Sequence, residues 1–578
     1  MAHNFLDLLF QTGYMEMAAV GTTAVVGALG TKYLYRTYKL AQTKEKIRRR
    51  QLKSRETIHH VQRLVDSKKV KTDIVHLPFS ELQKRLQAGD LKPSEVLLAF
   101  QAKALQAHAE LNCVTEFIIT AQERAATLDS VPPNERGPLH GIPISLKEAI
   151  GVAGSDCNTG CSYFIDDMYT EDSVIVQMLV ALGAVPFCRT NLSQAQMSIS
   201  CYNPIYGTTY NPHQKHRTSG GSSGGEGALI GAGGSILGVG CDMGGSNRIP
   251  AHLCGIVGVK PTAKRISGHG CFSYGQHITT IAEMYGPMGR DVDAVLAFMR
   301  AMLSPKVCTF DPLLAPVLWR EELYASKKPM RIGYYVSDGC VEPVPAVCRA
   351  VELAKQTLAN LGHTIVEFSP FDVEYAFEKL FLGVVLGDDG KMAKDILVND
   401  LQDPSVQELI TLYNKPVWFR KLLSKLCFFL HPIEKALVRA QAPRSICDWW
   451  NKNEDVEKYT RQFIAQWKKL QLDALICPAF PCAAWPADQE GSCIVGVTYT
   501  TVYNIMGFPC GVVPATQVTQ QDVVNMKSYP ARNSAEKHIQ EISKGSEGLP
   551  IGVQCVALPY MDEVLIKLMK ELETGLNK

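Results

Sequence analysis

Residues Gly220 to Ala251 read GGSSGGEGALIGAGGSILGVGCDMGGSNRIPA. Two serines, Ser222 and Ser246, lie 24 residues apart in this stretch, and each has glycines beside it. Glycines next to a serine let backbone N–H groups approach a reacting carbonyl and allow positive φ without steric cost. A glycine–serine run alone is typical of a flexible linker, but the apolar sequence between these two runs is not. The stretch therefore predicts a catalytic centre built around serine hydroxyls.

A lysine upstream of this stretch is the candidate base. Lys147 ends the segment Gly141-Ile-Pro-Ile-Ser-Leu-Lys147, whose apolar residues predict a short buried strand. A serine hydroxyl is a poor nucleophile until a base takes its proton, and a lysine amine can take it where burial favours the uncharged form. Together the lysine and the two serines indicate a serine hydrolase that needs no histidine.

A different serine-hydrolase arrangement also fits part of the stretch. Gly220-Gly-Ser222-Ser-Gly224 matches G-x-S-x-G, the turn that presents the nucleophile in α/β-hydrolases. That turn follows a buried strand, whereas residues 211–219 are polar and contain a proline, and the arrangement leaves the second serine and the lysine without a role. A nucleotide site is not favoured either, because neither G-x-G-x-x-G nor a Walker A sequence is present.

The stretch resembles the signature of the amidase signature family. The match extends from Gly220 to Ala251 almost position by position, and it includes both serines. Asn247 departs from the pattern, because the family usually has an aliphatic residue there. The resemblance implies an amide hydrolase with an α/β/α sandwich fold around a central mixed β-sheet, and it implies neither a cofactor nor a metal ion.

The resemblance also implies a role for each matching residue. Ser246 would be the acyl-accepting nucleophile, and Ser222 would pass its proton to Lys147, which acts as base and later as acid. The remaining positions would support the reaction: the N–H groups of Met243, Gly244, Gly245 and Ser246 would bind the oxyanion, and Ser223, Asp242 and Arg248 would brace the site.

The rest of the chain alternates helical and strand patterns. Residues 171–183 and 346–361 have helical periodicity, and each runs to a glycine and then to a short apolar strand. Ser80 and Ser94 are expected to cap two earlier helices. Strands are expected over residues 143–147, 184–188, 363–368, 472–477 and 511–514. Alternating units of this kind predict an α/β sandwich around a mixed sheet.

Composition excludes some classes of function. The 578 residues are 46% apolar and 20% charged, with a formal net charge of +2, so bulk charge favours no nucleic-acid partner. Eighteen cysteines are scattered singly and no cleavable signal peptide precedes them, which predicts reduced thiols in a body that faces the cytosol. Cys157 and Cys161 have no second ligand pair nearby, so no zinc site is expected.

The N-terminal part differs from the rest of the chain. Residues 1–16 carry no lysine or arginine, residues 17–38 are largely apolar, and residues 39–72 are rich in basic side chains. An apolar stretch of this length spans a bilayer as one helix, and the charge asymmetry places the following residues in the cytoplasm. We therefore expect a short non-cytoplasmic N-terminus, a transmembrane anchor and a basic juxtamembrane segment. A buried soluble helix is the alternative, because glycines and threonines make the stretch only weakly hydrophobic.

A second candidate membrane element lies within the catalytic domain, which is expected to cover residues 73–578. Prolines bound residues 416–432. As a helix this segment would have apolar side chains on one half and, on the other, Arg420, Lys421 and Lys425. A basic amphipathic helix docks in a membrane interface or, more commonly, faces a protein core. The first possibility predicts a membrane-docking cap around residues 411–440.

Over its whole length the chain resembles the members of this family that hydrolyse fatty-acid amides at membranes. The resemblance covers the anchor, the core, the cap and the C-terminal sequence from Gly548 to Pro559. It implies an integral membrane homodimer of the endoplasmic reticulum or another endomembrane. The implied substrates are N-acylethanolamines such as anandamide and primary amides such as oleamide. Phe428, Phe429 and Leu430 are candidates for the entrance of the acyl site.

Two other functions stay open at this point. A glutaminase subunit of a tRNA-dependent amidotransferase shares the Ser-Ser-Lys triad, but it would be soluble and would need partner subunits. A catalytically silent lipid-binding membrane protein is the alternative outside the enzymes, and the intact triad argues against it. Membrane extraction distinguishes the first alternative from a membrane amidase, and covalent labelling of Ser246 distinguishes the second.

Overall fold

The computed structural model describes residues 3–272, 278–427, 430–489 and 491–577, and it leaves undescribed the side chains of residues 3–33, 491 and 492. Within these residues the strands are β1 Val114–Phe117, β2 Pro143–Lys147, β3 Val185–Thr190, β4 Leu237–Asp242, β5 Val257–Lys260, β6 Met284–Gly289, β7 Arg331–Tyr334, β8 Thr364–Glu367, β9 Ala474–Pro478, β10 Cys510–Gln517 and β11 Pro550–Ala557. They form one sheet in the order β1-β3-β2-β4-β6-β5-β10-β11-β9-β7-β8.

The sheet is mixed, as the sequence predicts. Strand β2 runs parallel to both β3 and β4, and β7 runs parallel to both β8 and β9. The remaining neighbours are antiparallel, including β4 with β6, where Asp242 lies opposite Met284. All five strands expected from the sequence are present, with ends that differ by up to three residues.

Helices connect and cover these strands. They are α1 His3–Asp66, α2 Phe79–Ala88, α3 Pro93–Leu111, α4 Ala121–Leu128, α5 Val174–Ala181, α6 Gly224–Gly231, α7 Arg248–Cys254, α8 Val292–Met302, α9 Glu321–Tyr324, α10 Pro345–Asn360, α11 Val373–Tyr375, α12 Leu382–Val385, α13 Lys391–Leu397, α14 Pro404–Tyr413, α15 Val417–Leu426, α16 Pro432–Arg439, α17 Ile446–Lys469, α18 Thr498–Ile505, α19 Gln520–Asn525, α20 Ser534–Ile542 and α21 Asp562–Leu576. A π-helical turn, Ala376–Phe381, joins α11 to α12. Helices α7, α10 and α21 pack against β10 and β11.

The predicted caps of α2 and α3 are wrong. Helix α3 begins at Pro93 and its N-cap is Lys92, because the fixed φ of a proline suits the first helical position. Ser94 therefore lies inside the first turn, where its hydroxyl donates to the carboxylate of Asp129. Helix α2 likewise starts at Phe79, with Pro78 as its N-cap, so Ser80 is its second residue.

The parallel arrangement of β2 and β4 positions the predicted site. Lys147 is the last residue of β2, and Asp242 is the last residue of β4. Parallel neighbours have their carboxyl ends at the same edge of the sheet, so these side chains come from adjacent strand ends. Ser222 lies two residues before α6, and Ser246 lies two residues before α7, so both serines are in the turns that lead into helices.

The predicted anchor, residues 17–38, belongs to the 64-residue helix α1. The side chains of most of that segment lie outside the described residues. Of the residues that are described, none belongs to a helix long and apolar enough to cross a membrane. The anchor therefore stays a prediction.

The later part of α1 packs against the catalytic body. Ile47, Arg50 and Val61 of this helix are buried. Nε of Arg50 lies 2.9 Å from Oδ1 of Asp156, and Nη2 lies 2.8 Å from Oε2 of Glu116. The sequence predicts a separate basic juxtamembrane segment over residues 39–72. In the structure, however, one face of this helix packs against the catalytic domain and is buried there.

The predicted cap forms two helices, α15 and α16, with the prolines at their starts. In α15 the guanidinium of Arg420 is buried, where it contacts Asp389 and the ring of Tyr413. Its apolar side chains face outward: Trp418 is 67% exposed and Leu426 is 64% exposed. The core-facing alternative for this helix is therefore wrong, because its inward side chains include the buried guanidinium of Arg420, whereas Trp418 and Leu426 are exposed.

Candidate active site

The structure brings Lys147 and Ser222 together. Nζ of Lys147 lies 2.6 Å from Oγ of Ser222 and 3.0 Å from Sγ of Cys241. All three side chains are buried, since they lie between the ends of β2 and β4 and the turn before α6. An amine in such contact with a hydroxyl is placed to exchange a proton with it.

Ser246 differs from Ser222 in its exposure. Ser246 is only partly buried and lines a cavity, together with Gly221 and Gly244. Its backbone carbonyl accepts a hydrogen bond from the N–H of Ser223, which ties the two serine turns together. The two turns thus meet near the cavity, where Ser246 is partly exposed and Ser222 is buried.

The turn that carries Ser246 is held by Asp242. The Gly245 N–H and the Asn247 N–H donate to the two carboxylate oxygens of Asp242, at 2.8 and 3.2 Å. Gly245 has φ +129°, and a Cβ there would lie 2.5 Å from Oγ1 of Thr500, so only glycine fits. The N–H of Gly245 is already bonded to Asp242. Among the predicted oxyanion donors, those of Met243, Gly244 and Ser246 have no acceptor within the described part of the chain.

Arg248 completes this brace. Its guanidinium makes two hydrogen bonds of 2.9 Å to Asp242, and it also donates to Gln554 and Asn504. Both members of the pair are fully buried. Burial alone would raise the pKa of the Asp242 carboxyl, but the attraction of Arg248 outweighs it and lowers that pKa well below the usual range. Asp242 is therefore a charged structural anion at neutral pH, bonded on both oxygens.

Asn247, the departure from the family pattern, is accommodated by hydrogen bonds. Its Oδ1 accepts from the hydroxyl of Ser223 at 3.2 Å, and its Nδ2 donates to the carbonyls of Val259 and Gly286. An aliphatic residue would make none of these bonds. The amide links the turn before α6 to strands β5 and β6 behind the site.

Three residues at the site were not singled out from the sequence. The thiol of Cys241 donates to Oε1 of Gln196 at 2.9 Å and also contacts the carboxylate of Glu283. Burial, with Glu283 close by, raises the pKa of Cys241 well above its usual range, so the group is a neutral thiol. Cys241 lies within the glycine-rich stretch and could have been noticed there. Gln196 and Glu283 come from distant segments, and nothing in their local sequence marks them.

A largely apolar cavity of about 400 Å³ opens onto Ser246. One wall consists of side chains from the π-helical turn and from α12, α14 and α16, among them Phe377, Phe381, Leu382, Leu409, Leu412 and Leu437. Gln196 and Glu283 are polar members of the wall. Leu430 does not line the cavity, and Phe428 and Phe429 lie outside the described residues.

The described residues contain no group of three or more His, Cys, Asp or Glu side chains arranged to hold a metal ion. All eighteen cysteines are free thiols, and Cys157 and Cys161 are both buried. The thiol of Cys157 lies 3.1 Å from Nη2 of Arg189, so it is part of the hydrogen-bonded interior near β3.

Comparison with known proteins identifies the family of this chain. Residues 95–566 match the Amidase family, so the chain is a member of the amidase family and an amide-hydrolysing enzyme. The chain is 38% identical to fatty-acid amide hydrolase 1 of Sus scrofa over 504 residues, which cover 86% of each protein. It is 37% identical to fatty acid amide hydrolase 1 of Caenorhabditis elegans, covering 87% of this chain and 88% of that one. A solved structure of a fatty acid amide hydrolase matches with a TM-score of 0.76 and 26% identity, over 92% of this chain and 95% of that chain.

Proposed function

We propose that this enzyme is a membrane-associated serine hydrolase that cleaves fatty-acid amides to free fatty acid and amine. The observation that carries the proposal is the apolar cavity that opens onto Ser246, on the turn whose carbonyl is bonded to the N–H of Ser223, next to Ser222 in the chain. Its substrates would be N-acylethanolamines such as anandamide and primary amides such as oleamide. The named relatives, which are fatty-acid amide hydrolases, support this class of substrate.

In the proposed mechanism, Oγ of Ser246 attacks the amide carbonyl while its proton passes to Ser222 and the Ser222 proton passes to Lys147. The oxyanion that forms is stabilised by the N–H groups of Met243, Gly244 and Ser246. The C–N bond then breaks, and the nitrogen leaves with the bonding electron pair. It takes a proton that returns from Lys147 through Ser222. Water hydrolyses the acyl-enzyme to release the fatty acid and free Ser246.

The mechanism requires Lys147 to start as a neutral amine. Lys147 is fully buried, and its polar side-chain contacts in the described part of the chain are the Ser222 hydroxyl and the Cys241 thiol. The short contact with the Ser222 hydroxyl is the one through which the proton would pass. The same position keeps bulk water away from the base.

Contact with a membrane is the second part of the proposal. A fatty-acid amide resides in the bilayer, because each CH₂ that leaves the hydrocarbon for water costs about 0.8 kcal/mol. The outward apolar face of α15, with Trp418, Leu422 and Leu426, would dock in the interface. Helices α14 and α16, which line the cavity, come directly before and after α15 in the chain. An anchor at residues 17–38 would hold the enzyme in an endomembrane, with its catalytic domain in the cytoplasm. The enzyme would also form a homodimer.

Hydrolysis of a panel of fatty amides by the detergent-purified protein tests the catalytic part. Lys147→Ala is expected to lower amide turnover by about 10²- to 10⁴-fold at neutral pH, because the base is missing. Part of the turnover should return at high pH, where hydroxide replaces that base. Lys306→Ala, which removes an exposed lysine, serves as the control and should hydrolyse amides like the wild type. Undiminished turnover of Lys147→Ala at neutral pH would contradict the assignment.

The glutaminase alternative predicts different behaviour. Such a subunit would leave the membrane in high salt or carbonate, and it would hydrolyse glutamine but no fatty amide. The membrane hydrolase proposed here should need detergent for its extraction. A fluorophosphonate should label Ser246 in the folded protein, and an unlabelled Ser246 would favour the catalytically silent alternative.

A further inference from the structure

We propose that Glu283 and Gln196 form the leaving-group end of the cavity and make the enzyme selective for amides of neutral or cationic amines. Amides whose amine part carries a carboxylate, such as N-acyl amino acids, would be poor substrates. This inference rests on the proposed acyl-enzyme mechanism and specifies which amides it acts on.

The direction of proton transfer tells which side of the cavity receives the amine. The leaving nitrogen takes its proton from Ser222, so it must lie on the Ser222 side of the scissile carbon. The oxyanion lies on the other side, against the N–H groups of the turn that carries Ser246. Lys147 is hydrogen-bonded to Ser222, and its amine also contacts the thiol of Cys241. Side chains next to Cys241 therefore border the part of the cavity that receives the leaving amine of the substrate.

Gln196, which accepts the thiol proton of Cys241, and Glu283, which lies near that thiol on the neighbouring chain segment, both line the cavity. Glu283 directly precedes β6, where Cys241 of β4 lies opposite Tyr285. Side chains two residues apart on a strand share a face, so Glu283 and Tyr285 are on the same side as Cys241. The hydroxyl of Tyr285 donates to Oε2 of Glu283 at 3.2 Å, which orients the carboxylate.

Among the residues that the structure describes, no lysine, arginine or histidine forms an ion pair with the carboxylate of Glu283. In the described part of the chain its carboxylate contacts the Tyr285 hydroxyl and the Cys241 thiol, and both are neutral groups. The carboxylate is half-buried and open to the cavity. Two other cavity carboxylates, Glu408 and Glu434, belong to α14 and α16, which also carry apolar wall residues. They are thus on different elements from β4 and β6.

A fixed negative charge beside the leaving amine has a predictable effect on substrates. It attracts an ammonium group, accepts hydrogen bonds from a hydroxyl or an N–H group, and repels a carboxylate. Gln196 can accept or donate hydrogen bonds there through its carboxamide. The hydroxyl of an ethanolamide and the NH₂ of a primary amide both match these partners, whereas the carboxylate of a glycine conjugate does not.

Three oleoyl amides with the same acyl chain test the proposal on the wild-type enzyme: N-oleoylethanolamine, N-oleoylglycine and the mono-oleoyl amide of ethylenediamine. We expect kcat/KM for the glycine conjugate to be at least about tenfold below that for the ethanolamide. The cationic amide should be cleaved at least as well as the ethanolamide. Equal rates for the three substrates would overturn the inference, whereas no cleavage of any of them would instead contradict the proposed function.

Glu283→Gln then assigns the discrimination to this carboxylate. The substitution keeps the shape and removes the charge, so the ratio of kcat/KM between the glycine conjugate and the ethanolamide should rise about tenfold. The ratio for the cationic amide should fall. Glu322→Gln removes an exposed carboxylate that does not line the cavity and is the matched control, in which the ratios should stay as in the wild type. An unchanged glycine-to-ethanolamide ratio in Glu283→Gln, with fluorophosphonate labelling intact, would rule out the assignment.

Discussion

At the scale of single residues, the base is held by a thiol as well as by its serine. Sγ of Cys241 lies 3.0 Å from Nζ of Lys147, and the same thiol donates to Gln196. The amine therefore has two neutral partners that fix its direction toward Ser222. Since Cys241 touches no reacting atom in the proposed mechanism, it is a positioning residue.

Replacement of this thiol should slow catalysis without weakening substrate binding. Cys241→Val keeps the volume but offers Lys147 no hydrogen-bond partner, and we expect kcat to fall about tenfold. Cys241→Ser keeps a polar hydrogen and should retain most of the activity. Steady-state kinetics on one fatty amide check both variants. A serine variant as slow as the valine variant would show that the contact acts by packing alone.

Glu226 is a buried acid whose titration should appear in the stability of the protein. Burial raises its pKa from 4.5 to about 7, although Ser145 and Thr190 donate hydrogen bonds to the carboxylate. The folded state thus holds the proton more tightly than the unfolded state. The stability from this group is complete below pH 4.5 and is lost as the pH rises to about 7.

Glu226→Gln removes this pH dependence. The free energy of unfolding of the variant, relative to the wild type, should increase by about 3 kcal/mol between pH 4.5 and pH 7.5. Urea denaturation at several pH values measures it. Burial also raises the pKa of Glu148 to about 7, but that group titrates alike in both proteins and cancels from the difference. A constant difference between the two proteins over this range would contradict the raised pKa.

At the scale of elements, helix α1 is joined to the enzyme by a buried network of charges. Arg50 of α1 and Arg189 of β3 both bind Glu116, and Arg50 also binds Asp156. Burial alone would raise the pKa of Glu116, but the two guanidinium groups outweigh it and lower that pKa to about 2. The carboxylate is therefore charged at neutral pH and depends on both arginines.

Arg50→Met should destabilise the protein by about 3 kcal/mol, because it leaves two buried carboxylates with fewer partners. The free energy of unfolding in detergent, from chemical denaturation, measures this loss. Arg48→Met is the matched control on the same helix, since the ion pair of Arg48 with Glu45 is exposed and its removal should not change the stability measurably. Equal stability of the two variants would mean that α1 only rests on the surface of the enzyme.

At the scale of the whole molecule, the orientation of α15 should determine how the enzyme meets a bilayer. Leu422 is 47% exposed on the outward apolar face of this helix. Leu422→Glu should slow hydrolysis of a long-chain amide embedded in vesicles by at least about threefold, because a charge opposes insertion of the helix. Hydrolysis of a short-chain amide in detergent should not change.

Leu313→Glu provides the comparison for this variant, since Leu313 is 94% exposed and lies far from α15 in the chain. It should behave like the wild type with both substrates. Parallel losses with the vesicle and detergent substrates in Leu422→Glu would point to damage of the active site and would count against docking through α15.

Much of the catalytic centre could be predicted because it is compact in the sequence. Ser222 and Ser246 with their glycines lie within one 32-residue stretch, and Lys147 ends a recognisable buried strand. The strands over 143–147 and 474–478 were predictable for a similar reason, since short apolar runs between helical patterns are typical of a buried sheet. Local pattern was less informative at helix ends, where the prolines at 78 and 93, and not the nearby serines, set the starts.

The amino-acid sequence by itself determined the family, the alternation of helices and strands, and the identity of the proposed base and nucleophile, because each depends on residues close together along the chain. Only the tertiary structure decided which distant residues meet these groups. Sheet pairing brings Glu283 beside Cys241, and the packing of α15 turns Arg420 inward and Trp418 outward. Such contacts depend on how strands and helices pair across hundreds of residues, and local periodicity carries no information about that pairing.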